Sequence, residues 1–207
     1  MPFSINDFQG QVGGNGGFSL GYEFEVVIPN IVGLDTQTNL GTSIAENMRF
    51  RIDSFTVPPR AIQEIDYFTY GPPSKIGAFA NYVQADMNII CSRDLKERFF
   101  FMKWQDLITG NHRLNSGDFD ESRKSFDIGY YNDYRSQNIK INKYSGLGDD
   151  GKNASPIYTC TLIDAFPSLV GGLQMSWDNT EILKLPVSIT YRYFVEESAS
   201  AELETRG

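Results

Sequence analysis

The chain has 207 residues, with 18 Lys and Arg against 26 Asp and Glu and a formal net charge of −8. That length suits one domain with a core large enough to need neither metal nor disulfide. The acid excess disfavours adhesion to nucleic-acid phosphate or to an anionic membrane surface, and 14% aromatic with 21% charged residues excludes a disordered chain.

Residues 1–17 read as a flexible arm, because Gln9 to Gly17 is glycine-rich and without periodicity. The amino-terminal stretch lacks a basic segment followed by an apolar one, and no later run has the length of a membrane helix, so neither secretion nor membrane insertion is expected. A strand is predicted at 22–28, where Tyr22, Phe24, Val26 and Ile28 share one parity and Glu23 and Glu25 the other. The same two-residue period recurs at 49–52, 85–91, 139–141 and 157–163, and over the long run 183–195. Pro186 within that last run lacks a donor N–H, which predicts a bulge or a sheet rim.

Asp94 to Thr109, followed by Gly110, predicts a helix. Phe100, Phe101, Trp104, Leu107 and Ile108 fill one arc of it, and Leu95, Phe99 and Met102 fill nearly the opposite one. The second arc is covered either by the chain's own loops or by a neighbouring subunit. Segments 29–47, 111–137 and 145–156 have no regular period and read as long loops, and 196–207 reads as an acidic tail. The expected fold is mainly β, an antiparallel sandwich or barrel with one flanking α-helix, forming a single domain over 18–195.

A search for chemistry returns no site. Gly17-Phe18-Ser19-Leu20-Gly21 matches the spacing of a nucleophile elbow, but that device needs a strand before the Ser and a helix after it. The order here is the reverse, and His112 is the sole imidazole. His112, just past the predicted helix end, is better placed to complement the helix dipole. Asp118, Asp120 and Glu121, and separately Asp149 and Asp150, lack the pattern of a calcium loop. Gly148 to Lys152 has too few residues between its glycines for a phosphate loop. Cys91 and Cys160 sit in apolar alternating runs and read as reduced, buried thiols. No catalytic, cofactor-binding or metal site is expected.

The carboxy-terminal third carries a specific pattern: a strand leading to Pro167, then Val170, Gly171, Leu173, Met175, Trp177 and Asp178, then Glu181-Ile182 and a long closing strand. It closely resembles the tail tube proteins of contractile-tailed bacteriophages. Weaker anchors upstream are Trp104-Gln105 near a helix end and Phe50 to Pro58, a strand running into a Pro. The resemblance implies hexameric rings stacked into a hollow tube, with a tail sheath protein around it and a baseplate tube initiator beneath it. Tape measure protein and then transiting DNA would occupy the lumen, with no specific nucleic-acid binding. It implies a virion tail component made in the host bacterial cytoplasm. A baseplate-proximal initiator or cap of the same fold is an alternative. A carbohydrate-binding β-sandwich is another, with Trp104, Trp177 and the tyrosines of 130–144 as stacking residues, although Trp177 reads more simply as a core or turn anchor. Glu23 and Glu25 are candidates for the lumen wall, where carboxylates would repel threaded phosphate; the competing assignment pairs them with Arg49 and Arg51 across strands.

Overall fold

A computed structural model describes residues 21–29, 31, 34, 47–49, 51–68, 70–109, 128–144, 156–178 and 181–198. The glycine-rich arm, Ser19, His112, the loop acids at 118–121 and 149–150, and residues 199–207 lie outside the described residues.

The strands in chain order are β1 (Phe24–Val27), β2 (Ile52–Phe55), β3 (Arg60–Tyr67), β4 (Ser74–Tyr82), β5 (Ala85–Ile90), β6 (Ser136–Lys143), β7 (Tyr158–Val170), β8 (Lys184–Thr190) and β9 (Tyr193–Ser198). Two helices, α1 (Lys96–Thr109) and the short α2 (Tyr131–Tyr134), lie between β5 and β6. Every strand pairing is antiparallel.

The long strand β7 organises the sandwich. Its first part, Tyr158–Ile163, lies between β6 and β9, and its last part, Phe166–Val170, pairs with β8. One sheet is therefore β1-β6-β7-β9 and the other β7-β8-β5-β2. The change of sheet falls at Asp164, whose φ is +55°. Aspartate tolerates this left-handed conformation better than most residues. Its buried carboxylate is bound by Arg135 and approached by Arg192 at 3.7 Å.

Alternating side chains fill the space between the sheets. Val26, Ile139, Ile141, Cys160 and Leu162 come from one side, and Met87, Ile89, Leu185, Val187 and Ile189 from the other. Helix α1 packs on β7 and buries Phe100, Phe101, Trp104 and Leu107, the arc expected from its periodicity. The opposite arc stays open: Phe99 and Met102 are exposed, with the Lys103 ammonium 5.3 Å above the Phe99 ring.

Four features differ from expectation. The run 183–195 is two strands: the chain turns at Tyr191-Arg192 and the inward parity shifts there, so that Phe194 packs against the core while Tyr193 and Val195 are exposed. Pro186 is not on a rim, since β8 has β5 on one side and β7 on the other. It sits where β7 ends, and its carbonyl accepts the Gly171 N–H at 2.8 Å. A separate two-stranded sheet of β3 and β4 is present where no strand was expected. Strand β9 runs to Ser198, three residues into the segment read as a tail.

Candidate assembly surface

The β3–β4 hairpin is the most exposed part of the described chain. All of its strand residues are exposed except Tyr82. Its closing turn contains Gly71 at φ +105°, a conformation that favours glycine, followed by Pro72 and Pro73, which preset the chain for its return. An aromatic clamp holds the base: Tyr82 makes edge contacts with Tyr191 and Phe194, and the Arg60 guanidinium lies 6.0 Å above the Phe194 ring.

The register decides what the hairpin presents. Residues opposite one another share a face. Gln63 pairs with Phe79, Ile65 with Ile76 and Tyr67 with Ser74, with Ala78 as the extra residue of a bulge between the first two pairs. Ile65, Tyr67, Ile76 and Phe79 therefore lie on one face, each between 50% and 62% exposed. The other face carries Glu64, Asp66 and Lys75, with a Lys75–Glu64 ion pair of 2.7 Å, and a single large apolar residue, Ile62, near the base. That pair is exposed and contributes little stability. A ribbon with four large apolar groups on one side and charges on the other is amphipathic, and its apolar side has no cover in the subunit.

The sheet edges add to this surface. Among the described residues, β1, β2 and β9 each pair with a single neighbour, so each leaves one row of backbone groups available for pairing.

The expected motif residues fall into two groups. Pro58, Trp104 and Pro167 are buried, and Trp104 donates its indole N–H to the Tyr134 carbonyl at 2.5 Å. Gly171, partly buried, is required by packing: a Cβ there would lie 2.4 Å from Pro186 Cγ. Val170 and Leu173 pack against the core. Trp177, Asp178 and Glu181 are exposed, and Trp177 stands fully in solvent on a turn. Trp177 is therefore a turn residue and not a core anchor. With Trp104 wholly enclosed, the pair forms no sugar-stacking platform.

Glu23 and Glu25 do not form one solvated acidic face. Glu23, at φ +67°, is exposed and precedes the strand. Glu25 is 7% exposed and is bound by the Arg49 guanidinium, the Tyr144 hydroxyl and the Asn142 amide. Burial alone would raise its pKa, but hydrogen bonds from Arg49, Tyr144 and Asn142 outweigh it and hold the carboxyl below its ordinary value. Glu97 behaves in the same way. Burial opposes its charge, and the backbone and hydroxyl of Ser92 with Arg51 overcome that cost. Parity identifies a shared face and is silent on partners, which is why Asn142 and Tyr144 went unnoticed in the sequence. Of the two arginines expected to pair with Glu23 and Glu25, Arg49 binds Glu25 and Arg51 goes to Glu97 instead.

Both cysteines are free thiols, and burial pushes Cys160 up to about 11, far from a reactive thiolate. Among the described residues no group of three or more His, Cys, Asp or Glu side chains is arranged to hold a metal ion. No described helix is long and apolar enough to cross a membrane.

The fold is similar to that of solved components of contractile injection systems. In the cryo-EM structure of an extracellular contractile injection system, the PVC sheath–tube complex in its extended state, the match has a TM-score of 0.55 at 11% identity and covers 96% of this chain and 100% of that one. The PVC sheath/tube terminator matches with a TM-score of 0.52 at 10% identity, over 96% of this chain and 98% of that one. The anti-feeding prophage tube-terminating cap matches with a TM-score of 0.55 at 10% identity, over 88% and 92%. No curated protein sequence matches significantly. The antiparallel sandwich is thus an architecture the chain shares with these solved components. The chain belongs to the phage tail tube protein family, whose model matches residues 19–197. It is a structural subunit of a tail tube.

Proposed function

We propose that the subunits form hexameric rings that stack into a hollow tube, with the apolar face of the β3–β4 hairpin lying against a neighbouring copy. The observation that carries this is the exposure of Ile65, Tyr67, Ile76 and Phe79 together on one side of the ribbon. Water is a poor solvent for such a face, and a second copy covers it without refolding the sandwich.

In this proposal a contractile sheath surrounds the tube, a baseplate initiator starts it, and tape measure protein and then DNA occupy the lumen. Likeness to chains of a sheath–tube complex and a sheath/tube terminator supports this arrangement. The net charge of −8 suits a conduit that phosphate does not stick to. Of the two lumen candidates only Glu23 offers an exposed carboxylate. The protein would act without catalysis or cofactor, after synthesis in the host cytoplasm.

Electron microscopy with sedimentation of the purified chain tests the proposal. Tubes are expected. Single rings would instead favour a cap or initiator, a reading supported by the equal TM-score of 0.55 to a tube-terminating cap. A chain that stays monomeric at all concentrations would overturn both.

A further inference from the structure

A cavity of about 500 Å³ opens between β2 and the β1-β6-β7 side of the sandwich. Phe24, Ile141, Ile157 and Tyr158 wall it from one side, and Phe55 and Val57 from the other. Among the described residues β1 and β2 each pair with a single neighbour, so the cavity lies between two open edges. Val57 and Ile157 leave 44% and 37% of their surface uncovered. A space of this size with such walls encloses a small apolar group well.

The chain itself supplies one. Gly21 is a wall residue of the cavity, and the Lys143 ammonium donates to the carbonyl of Tyr22 beside it, which fixes the point from which residues 1–20 depart. Those residues carry Phe3, Ile5 and Phe8, followed by a stretch with glycine at 10, 13, 14, 16 and 17. Thirteen steps separate Phe8 from Gly21, and a glycine-rich linker of that length spans roughly 20 Å on average, ample for a return to the cavity. Such a tether holds Phe8 near the cavity at an effective concentration of about millimolar, which another copy in dilute solution does not match. The match to the tail tube family begins at residue 19, so the apolar segment and its linker stand outside the shared domain.

Charge agrees with this occupant. Asp53 at the cavity is paired with Lys184 at 2.8 Å, whereas Lys143 meets a neutral carbonyl, so among the described residues the uncompensated charge there is positive. Asp7, adjacent to Phe8, brings the opposite sign.

We propose that Phe8, with Ile5 and Asp7 beside it, docks in the cavity of its own subunit and lies over the open edges of β1 and β2. A covered edge offers fewer backbone groups to another chain, so the docked arm holds back pairing until a neighbour displaces it. The docking stands on the cavity and the tether; its effect on assembly rests on the self-assembly proposed above.

Gln9→Cys with Val57→Cys, in a Cys91→Ser background, tests the docking in the unassembled subunit. Mild oxidation should give an intramolecular disulfide, seen as a faster-migrating monomer on a non-reducing gel. Adding Ile5→Ser with Phe8→Ser should slow its formation about tenfold, because the apolar contacts that hold the arm are gone. Lys143→Glu should slow it as well, and Asp7→Lys in the same chain should restore it. In the chain without added cysteines, Ile5→Ser with Phe8→Ser should shorten the lag before tubes form by about threefold, because more subunits are competent to pair. Equal linking rates with and without the serine changes would show the tether alone, and covalent dimers in place of the intramolecular link would put the arm on another copy; either result overturns the docking. An unchanged lag would overturn the holding back. Absence of wild-type tubes would overturn self-assembly, with the intramolecular link still deciding the docking.

Discussion

Gly171 and Pro186 meet where β7 ends: the Gly171 N–H donates to the Pro186 carbonyl at 2.8 Å, and a Cβ on Gly171 would stand 2.4 Å from the proline ring. The proline has no N–H of its own to offer at this point, and the glycine admits its ring in place of a ladder hydrogen bond. The Val-Gly step of the family pattern thus has a steric cause in this chain.

Gly171→Ala should therefore destabilise the subunit by about 1–3 kcal/mol through overpacking. Adding Pro186→Ala should recover most of the loss, because the clash is with the ring. Chemical denaturation of the three variants checks this, and equal stability of Gly171→Ala and wild type would refute it.

Trp104 is wholly enclosed against Phe100 and Phe101 and holds the chain at Tyr134. Trp104→Ala should cost about 3–5 kcal/mol. Trp104→Phe should cost less but still leave the Tyr134 carbonyl without its donor. Thermal unfolding of unassembled subunit gives both values.

Acid should weaken the fold through Glu25 and Glu97. Both carboxyls are held below the ordinary value of 4.5, so the folded state binds their protons less readily than the unfolded state does. Their contribution is fully present above pH 4.5 and is lost as pH falls through the lower folded values. Melting temperature should drop over that window, and the double change Glu25→Gln, Glu97→Gln should flatten the drop while lowering stability at neutral pH.

Charging the ribbon should separate assembly from folding. Ile65→Glu with Ile76→Glu places two acids opposite one another on the apolar face. Sedimentation should show loss of rings and tubes, with a subunit melting curve like that of wild type. Tubes of normal length would remove this face from the interface.

Elements that bury one face were legible in the sequence. Ala85, Met87 and Ile89 alternate and point inward, and the Phe100-Trp104-Leu107 arc of α1 is buried, because burial writes a period into the chain. The hairpin at 60–82 wrote only a short one, Ile65 and Tyr67 alternating with Glu64 and Asp66, since both its faces are exposed and the bulge at Ala78 shifts the parity of the return strand midway. The turn signal Gly71-Pro72-Pro73 was the cue present. Glu25 looked like half of an acidic face because its partners Arg49, Asn142 and Tyr144 reach it only through the fold.

Strands β2 and β5 pair directly, Phe55 opposite Met87, and the whole ribbon is spliced into the connection between them. A short turn that kept Tyr82 on Tyr191 and Phe194 would join the same two strands without disturbing the sandwich. The residues that fold the sandwich and the residues of the exposed apolar ribbon are thus written in separable stretches. Residues 61–81, beyond the clamp that Arg60 and Tyr82 make on Phe194 and Tyr191, make few contacts with the sandwich and can change length or register while the rest of the subunit folds as before.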